Sequence, residues 1–265
     1  MDKKGHYITE LMKYRMPYHN KNLPFTLLWS EKSGCTSLAK WYFYQMDLLN
    51  KALSYHPFIH QYICNVHCNH ENYITELKED FFKKEIIKLV RNPYSRAVSS
   101  YLHVLHYGTP NEKRNEKFSR DLEGVYLQNQ ISGMSFKQFL FCIEKSGSYS
   151  NAIDGHVAQQ YIKGEELWIN KIIRLEDFKK EIRTLENQYN LKDSPINQLI
   201  KSPHHKSQLN KEHLNNKNFS EKILTKDMLT TINLPVYKNF YDKESLDLCS
   251  SLFEKDIEMY NYKNL

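Results

Sequence analysis

The sequence predicts an α/β fold in which a central parallel sheet is flanked by helices. Short apolar runs end in polar turns, and several of these turns lead into segments whose apolar residues have helical spacing. Strands that alternate with helices are typical of a parallel sheet. The chain has no internal repeat and no long Pro-, Gly- or Ser-rich linker. We therefore expect a single domain over residues 1–265, with a core from about 24 to 265 and an N-terminal extension over 1–23.

The first half of the chain contains the clearest strand and helix signals. An apolar run predicts a strand over 24–30, and a Gly-containing polar turn separates it from a helix over 36–43. Runs rich in β-branched and aromatic residues predict further strands over 58–64 and 85–91. The last of these passes through an Asn-Pro turn into a helix over 94–106.

The second half begins with a polar, charged segment over 108–133, for which we expect a long loop or irregular lid. Ser135 is a suitable N-cap for a helix over 136–143. The spacing of apolar residues then predicts a strand over 171–175, a helix over 177–189 and a C-terminal helix over 243–262.

Composition excludes several classes of protein. The 37 Lys and Arg residues exceed the 31 Asp and Glu residues, a net charge of +6, but they are dispersed, so we expect no nucleic-acid partner. No apolar run approaches the roughly 20 residues of a transmembrane helix. The N-terminus lacks the apolar stretch of a signal peptide, so we expect a soluble cytoplasmic protein. Peripheral association with a membrane is compatible with this expectation. The five cysteines are scattered and odd in number, which favours free thiols.

The turn over 31–37 has the features of an anion site. A short Gly-containing turn between a strand and a helix points backbone N–H groups at one spot, and Lys32 would add a positive charge there. Thr36 and Ser37 offer hydroxyl donors at the helix start. The order differs from a Walker A motif because Lys32 precedes Gly34. This segment alone is equally compatible with an ordinary turn in which Gly34 relieves the backbone.

A second candidate anion site follows the strand over 85–91. An Arg side chain matches the oxygens of a phosphate, so Arg91 and Ser99 are candidate ligands of one anion. The alternative is a capped helix with solvated charges. Both candidate loops follow predicted parallel strands, and ligands bind at the carboxyl ends of such strands, which favours the functional interpretation.

Together these motifs resemble the sulfotransferases that use 3′-phosphoadenosine 5′-phosphosulfate (PAPS), especially the carbohydrate branch with its chondroitin 4-O and heparan 2-O enzymes. Lys32-Ser-Gly-Cys-Thr-Ser37 is similar to the family's 5′-phosphosulfate loop. Arg91-x-Pro-x-x-Arg-x-x-Ser-x-Tyr101 matches its 3′-phosphate motif, and the segments 154–159, 173–178 and 240–262 are weaker matches. The resemblance implies a P-loop-NTPase-like α/β fold.

The resemblance also implies an activity: transfer of the sulfuryl group from PAPS to a hydroxyl, with 3′-phosphoadenosine 5′-phosphate (PAP) as product. Lys32 would stabilise the departing 5′-phosphate, and no metal is expected. The residues implied to hold the phosphosulfate are Lys32, Ser33, Gly34, Cys35, Thr36 and Ser37. The 3′-phosphate would be held by Arg91 and Ser99, and a late loop with Lys206 and Ser207 would add cofactor contacts.

A hydroxyl needs a general base, for which histidine is suited. In the heparan 2-O relatives a histidine lies a little over twenty residues before the motif arginine, and His67 and His70 fall in that window. We prefer His67 because it follows the predicted strand 58–64 more closely, although either could be a solvated loop histidine. Glu31 is a weaker candidate base and a candidate acceptor contact, and His156 is a candidate contact of the acceptor or the cofactor.

The segment that contains His67 and His70 is also a candidate zinc site. Cys64, His67, Cys68 and His70 combine thiols and imidazoles, the ligands that zinc prefers. Ligands this close together, without a second Cys/His pair at finger spacing, rarely close a tetrahedral site, so we expect no metal here.

Two other functions compete with sulfuryl transfer. One is a P-loop kinase-like phosphotransferase, and the other is a non-catalytic module that binds PAP or another adenine nucleotide. The expected acceptor is a carbohydrate, such as a polysaccharide, a capsule or lipopolysaccharide precursor, or a glycolipid.

Overall fold

The computed structural model describes residues 3–109, 115–201 and 218–265. Its contacts divide the chain into two compact units. The first unit comprises Met1–Arg91 and Ile162–Ser202, and the second comprises Asn92–Tyr161 and Pro203–Leu265.

Strands and helices alternate along much of the chain. The strands are β1 (Phe25–Leu28), β2 (Glu85–Val90), β3 (Gly133–Met134), β4 (Lys171–Arg174) and β5 (Leu224–Thr225). The α-helices are α1 (Lys3–Tyr14), α2 (Cys35–Gln45), α3 (Leu49–Tyr55), α4 (Ile59–Tyr62), α5 (Tyr73–Asp80), α6 (Pro93–Tyr107), α7 (Glu116–Asn129), α8 (Phe136–Ser146), α9 (Phe178–Gln188), α10 (Ile196–Leu199), α11 (Met228–Thr231), α12 (Lys243–Leu252) and α13 (Glu254–Met259). A π-helical turn (Ile63–His67) continues α4.

The first unit is built on a parallel sheet with the strand order β1-β2-β4. Leu28 of β1 pairs with Lys88 of β2, and Val90 of β2 pairs with Arg174 of β4. The central strand β2 is almost wholly buried, which explains why it reads as a nearly continuous apolar run. This sheet confirms the predicted fold class.

Helices cover both faces of this sheet, since alternate residues of a strand point to opposite sides. Ile87 and Leu89 pack in one cluster with α2 and α9, whereas Ile86 packs in another with α1 and α5. Residues before position 24 contribute to this second cluster through Tyr7 and Leu11, which are 4% and 2% exposed.

A buried ion pair lies on the same face as Ile86. Lys88 Nζ is 2.5 Å from Glu165 Oε2, and the two side chains are 1% and 0% exposed. A lone buried charge would be very costly, so each of these side chains requires the other.

The second unit packs helices around an aromatic core. Tyr101 of α6 contacts Phe136 and Phe139 of α8, and its hydroxyl donates to the Met134 carbonyl at 2.7 Å. A capping box at Ser135 begins α8, which confirms the predicted cap.

The predicted strand over 58–64 is wrong, because this segment forms α4 and the π-helical turn. Ile59, Tyr62 and Ile63 are the buried residues, and their i, i+3, i+4 spacing belongs to a helix. Aromatic and β-branched residues suggested a strand, but the burial period decided the structure.

The expected loop over 108–133 is also wrong in its described part, because 116–129 form α7. Phe118 and Leu122 are buried, and Val125 and Tyr126 pack partly against the same core. Their spacing is that of an amphipathic helix, whose charged face made the segment look loop-like. The predicted helix 243–262 is interrupted at Phe253, between α12 and α13.

In the parts of the chain that the structure describes, every helix is too short or too polar to span a bilayer.

Candidate active site

The turn between β1 and α2 bends sharply around Ser33. Lys32 and Gly34 both have positive φ, 63° and 93°. Ser33 is fully buried, and its hydroxyl donates to the Ser30 carbonyl at 2.5 Å and accepts from the Ser30 N–H at 3.3 Å. The side chain of Ser33 therefore stabilises the turn from inside.

Gly34 is the N-cap of α2 and allows a close approach of the chain to Leu175. A Cβ atom at Gly34 would lie 2.5 Å from Leu175 Cδ1. Both the positive φ and this contact require glycine here. The first-turn N–H groups of α2 then form the positive end of the helix dipole, which suits an anion.

His60 lies at the beginning of α2, although sequence reasoning did not include it in the site. Its Nε2 is 3.2 Å from Thr36 Oγ1 and 3.6 Å from Cys35 Sγ. Burial raises the pKa of the Cys35 thiol to about 11, so this cysteine is a neutral thiol near pH 7. The helical burial period of 59–63 was the signal that could have placed His60 beside α2.

Arg91 reaches the same turn. Its Nη1 donates to the Lys32 carbonyl at 3.1 Å. The reason is topological: β1 and β2 are parallel neighbours, so the residues that follow them meet at one edge of the sheet. The fold of the first unit thus brings Arg91 to a turn that lies about sixty residues earlier in the sequence.

Glu31 pairs with an arginine that sequence reasoning did not single out. Arg15 Nε donates to Glu31 Oε2 at 2.8 Å, and the Arg15 side chain is only 1% exposed. This ion pair holds the Glu31 side chain in place beside the turn.

The two candidate bases differ strongly in their surroundings. The His67 ring packs against Phe43 and Tyr73, and its Nε2 is 3.2 Å from the Tyr42 hydroxyl. Burial lowers the pKa of His67 to about 4. His70 is exposed, and its Nδ1 accepts a 3.3 Å hydrogen bond from the Asn72 N–H.

The second unit holds the remainder of the arginine motif. Asn92 caps α6 by accepting from two N–H groups, and Pro93 occupies the first helical turn. Arg96 is 1% exposed and donates to the carbonyls of Ala158 (2.7 Å) and Gly155 (2.9 Å). This arginine therefore anchors a loop. Ser99 is partly buried on α6, and its convergence with Arg91 stays a prediction.

The loop that Arg96 anchors carries His156. His156 Nδ1 is 2.7 Å from Asp154 Oδ1, and its ring stacks on His103 with centroids 4.2 Å apart. An acidic partner and a stacked ring together hold this imidazole in one orientation.

Comparison with known proteins identifies one matching family. A family model described as Sulfotransferase family matches residues 11–263. The chain belongs to the sulfotransferase family. No curated protein and no solved structure shows a significant match.

As a sulfotransferase, the protein transfers a sulfuryl group to an acceptor. That Lys32 and the N–H groups at the start of α2 stabilise charge in such a transfer stays a prediction. Lys206 and Ser207, predicted as late cofactor contacts, lie outside the described residues. Among the residues that are described, no group of three His, Cys, Asp or Glu side chains is arranged to hold a metal ion, including the segment with Cys64 and Cys68.

Proposed function

We propose that this sulfotransferase moves the sulfuryl group of PAPS to a hydroxyl of a carbohydrate in the cytoplasm. The observation that supports PAPS is the contact of Arg91 with the Lys32 turn. PAPS carries a 5′-phosphosulfate and a 3′-phosphate, and this edge of the sheet presents one basic residue from each corresponding motif. Neither ATP nor ADP has a 3′-phosphate for Arg91.

In this proposal the chain stabilises charge and removes one proton. The acceptor oxygen attacks sulfur and its proton moves to a base, while the bond between sulfur and the 5′-phosphate oxygen breaks. Lys32 and the N–H groups at the start of α2 stabilise the leaving 5′-phosphate of PAP. Gly34 and Ser33 shape the turn that orients these donors.

Of the two predicted bases, we assign the proton transfer to His70. His67 is enclosed by aromatic rings, and its lowered pKa makes it a weak base. His70 is exposed, so an acceptor hydroxyl can reach its ring, and the 3.3 Å hydrogen bond from the Asn72 N–H is the contact that this hydroxyl would replace at Nδ1. His156, held by Asp154, is proposed to contact the acceptor, as is Glu31.

Exposed aromatic rings in the first unit support a sugar acceptor. Tyr55 and Phe58 are 51% and 45% exposed. The Phe58 ring lies 4.9 Å from His60, which contacts Thr36 at the start of α2. Aromatic faces provide rigid contact area for the apolar side of a sugar ring.

The deciding experiment measures binding of PAP, ADP and ATP by calorimetry. We expect the wild-type protein to prefer PAP, and we expect Arg91→Ala to lose at least about tenfold in PAP affinity with little change for ADP. Arg120→Ala, which removes an exposed arginine of α7, is the matched control. Preference for ATP, or equal PAP binding by Arg91→Ala, would exclude the proposed site.

Labelled PAPS then identifies the acceptor class. Mono- and oligosaccharides, capsule and lipopolysaccharide precursors, and glycolipids are tested in parallel. PAP binding without transfer to any of them would favour a binding module, whereas transfer that His70→Ala abolishes and His6→Ala preserves would support the base. His6 is an exposed residue of α1.

A further inference from the structure

His60 is a histidine at the start of α2 that none of the family motifs includes. It is partly buried, and its Nε2 is 3.2 Å from Thr36 Oγ1. Because Thr36 belongs to the first turn of the helix, His60 lies one side chain away from the proposed phosphosulfate position.

Aromatic packing fixes the orientation of this imidazole. The ring centroid of His60 is 4.9 Å from that of Phe58 and 5.9 Å from that of Trp29. Trp29 is itself held, because its Nε1 donates to the Met16 carbonyl at 2.9 Å and its ring stacks on Tyr18. Contacts with these two rings restrict the imidazole while its Nε2 atom lies beside Thr36.

The chemistry of Thr36 depends on which partner donates. A threonine hydroxyl has one hydrogen to donate and two lone pairs that accept. When His60 Nε2–H donates to Oγ1, the hydroxyl hydrogen of Thr36 is left for an anion at the helix start, which is a stronger acceptor than the neighbouring Cys35 sulfur. When Thr36 donates to His60 instead, that hydrogen turns away from the anion. A neutral Cys35 thiol beside Nε2 is a weak acceptor and leaves Thr36 as the stronger partner.

We infer that His60 is a positioning residue of the donor site, whose Nε2–H orients the Thr36 hydroxyl toward the 5′-phosphate group of PAPS. This inference rests on the proposed function. It deepens that function by assigning the recognition of one phosphate group to a pair of side chains, Thr36 and His60.

Binding of two ligands distinguishes this positioning role from a role in folding. PAP carries the 5′-phosphate, whereas adenosine 3′-phosphate lacks it. Three variants distinguish the contribution of the Nε2–H donor of His60 from that of its aromatic ring. His60→Gln keeps an N–H donor at a similar reach, His60→Phe keeps a ring without a donor, and Thr36→Val removes the hydroxyl. His6→Phe is the control on the exposed face of α1. Thermal unfolding of every variant checks that it is folded.

We expect His60→Phe to weaken PAP binding about tenfold and adenosine 3′-phosphate binding less than twofold. The PAP affinity of His60→Gln should stay within about threefold of wild type. In the Thr36→Val background, His60→Phe should weaken PAP binding by less than a further factor of about two, because the effects of coupled residues are not additive. His6→Phe should change neither affinity.

Other results would overturn the inference and leave the proposed function intact. These are an unchanged PAP affinity for His60→Phe, equal losses for both ligands, a His60→Gln variant as weak as His60→Phe, or additive losses in the double variant. A wild-type protein that prefers ATP to PAP would instead refute the proposed function, and the inference with it. If His60→Phe is unfolded, the His60→Gln and Thr36→Val measurements decide.

Discussion

Replacing Gly34 by alanine should lower the free energy of unfolding by about 2–3 kcal/mol. Its φ of 93° lies in the left-handed region, which costs a residue with a Cβ roughly 1–2 kcal/mol. The new Cβ would also lie 2.5 Å from Leu175 Cδ1. Overpacking costs roughly 1–3 kcal/mol, and because Leu175 is partly exposed and can rotate, we expect about 1 kcal/mol here.

Gly164 provides a matched control. Its φ is 92°, almost that of Gly34, but a Cβ there would meet nothing closer than Tyr7 Cδ2 at 3.9 Å. Gly164→Ala should therefore show only the backbone cost of about 1–2 kcal/mol. Urea unfolding of both variants measures the difference, which should be about 1 kcal/mol. Gly34→Ala should also weaken PAP binding, whereas Gly164→Ala should not.

A double-mutant cycle with Leu175→Ala tests the steric contribution. In the Leu175→Ala background, Gly34→Ala should cost about 1 kcal/mol less, because the clashing methyl group is gone. Equal losses for Gly34→Ala and Gly164→Ala, together with an unchanged cost in the double variant, would refute the close contact as the reason for glycine at this position.

Further predictions concern groups buried away from the turn. Burial lowers the pKa of His67 to about 4, so the unfolded chain binds more protons than the folded chain between about pH 4 and 6.5. The free energy of unfolding should therefore decrease as the pH is lowered through that window. From pH 7 to pH 5 this one group should contribute a loss of about 2 kcal/mol, which His67→Phe should remove from the urea-unfolding profile; an identical profile would contradict the burial. Glu165→Gln leaves Lys88 without its buried carboxylate and should cost about 3–5 kcal/mol, whereas Asp80→Asn, in an exposed pair, should cost less than about 1 kcal/mol. In Arg96→Lys, the lysine cannot form both hydrogen bonds that Arg96 donates to loop carbonyls, so proteolysis at 154–159 should increase. Unchanged cleavage would show that other contacts hold the loop.

Much of the fold follows from local patterns. The strands at 25–28, 85–90 and 171–174 were predicted because buried parallel strands are continuous apolar runs bounded by polar turns. The cap at Ser135 was predicted because a capping box satisfies helix N–H groups within a few residues. Each of these signals depends on neighbours in the sequence.

The errors arose where composition and burial pointed to different structures. Residues 58–64 have strand-like composition, but the positions that are buried have helical spacing. Residues 116–129 are charged on one face, and only packing against the second unit's core shows that the apolar residues of the other face are buried together. A sequence states which residues are apolar, whereas the tertiary structure decides which of them are buried together.

The sequence by itself determined the parallel α/β architecture, the turn at Lys32 and the arginine motif, because each consists of residues a few positions apart. Only the tertiary structure decided that Arg91 contacts the Lys32 carbonyl, that Leu175 requires glycine at position 34 and that His60 reaches Thr36. These contacts join residues more than twenty positions apart, and such separations are set by strand order and packing.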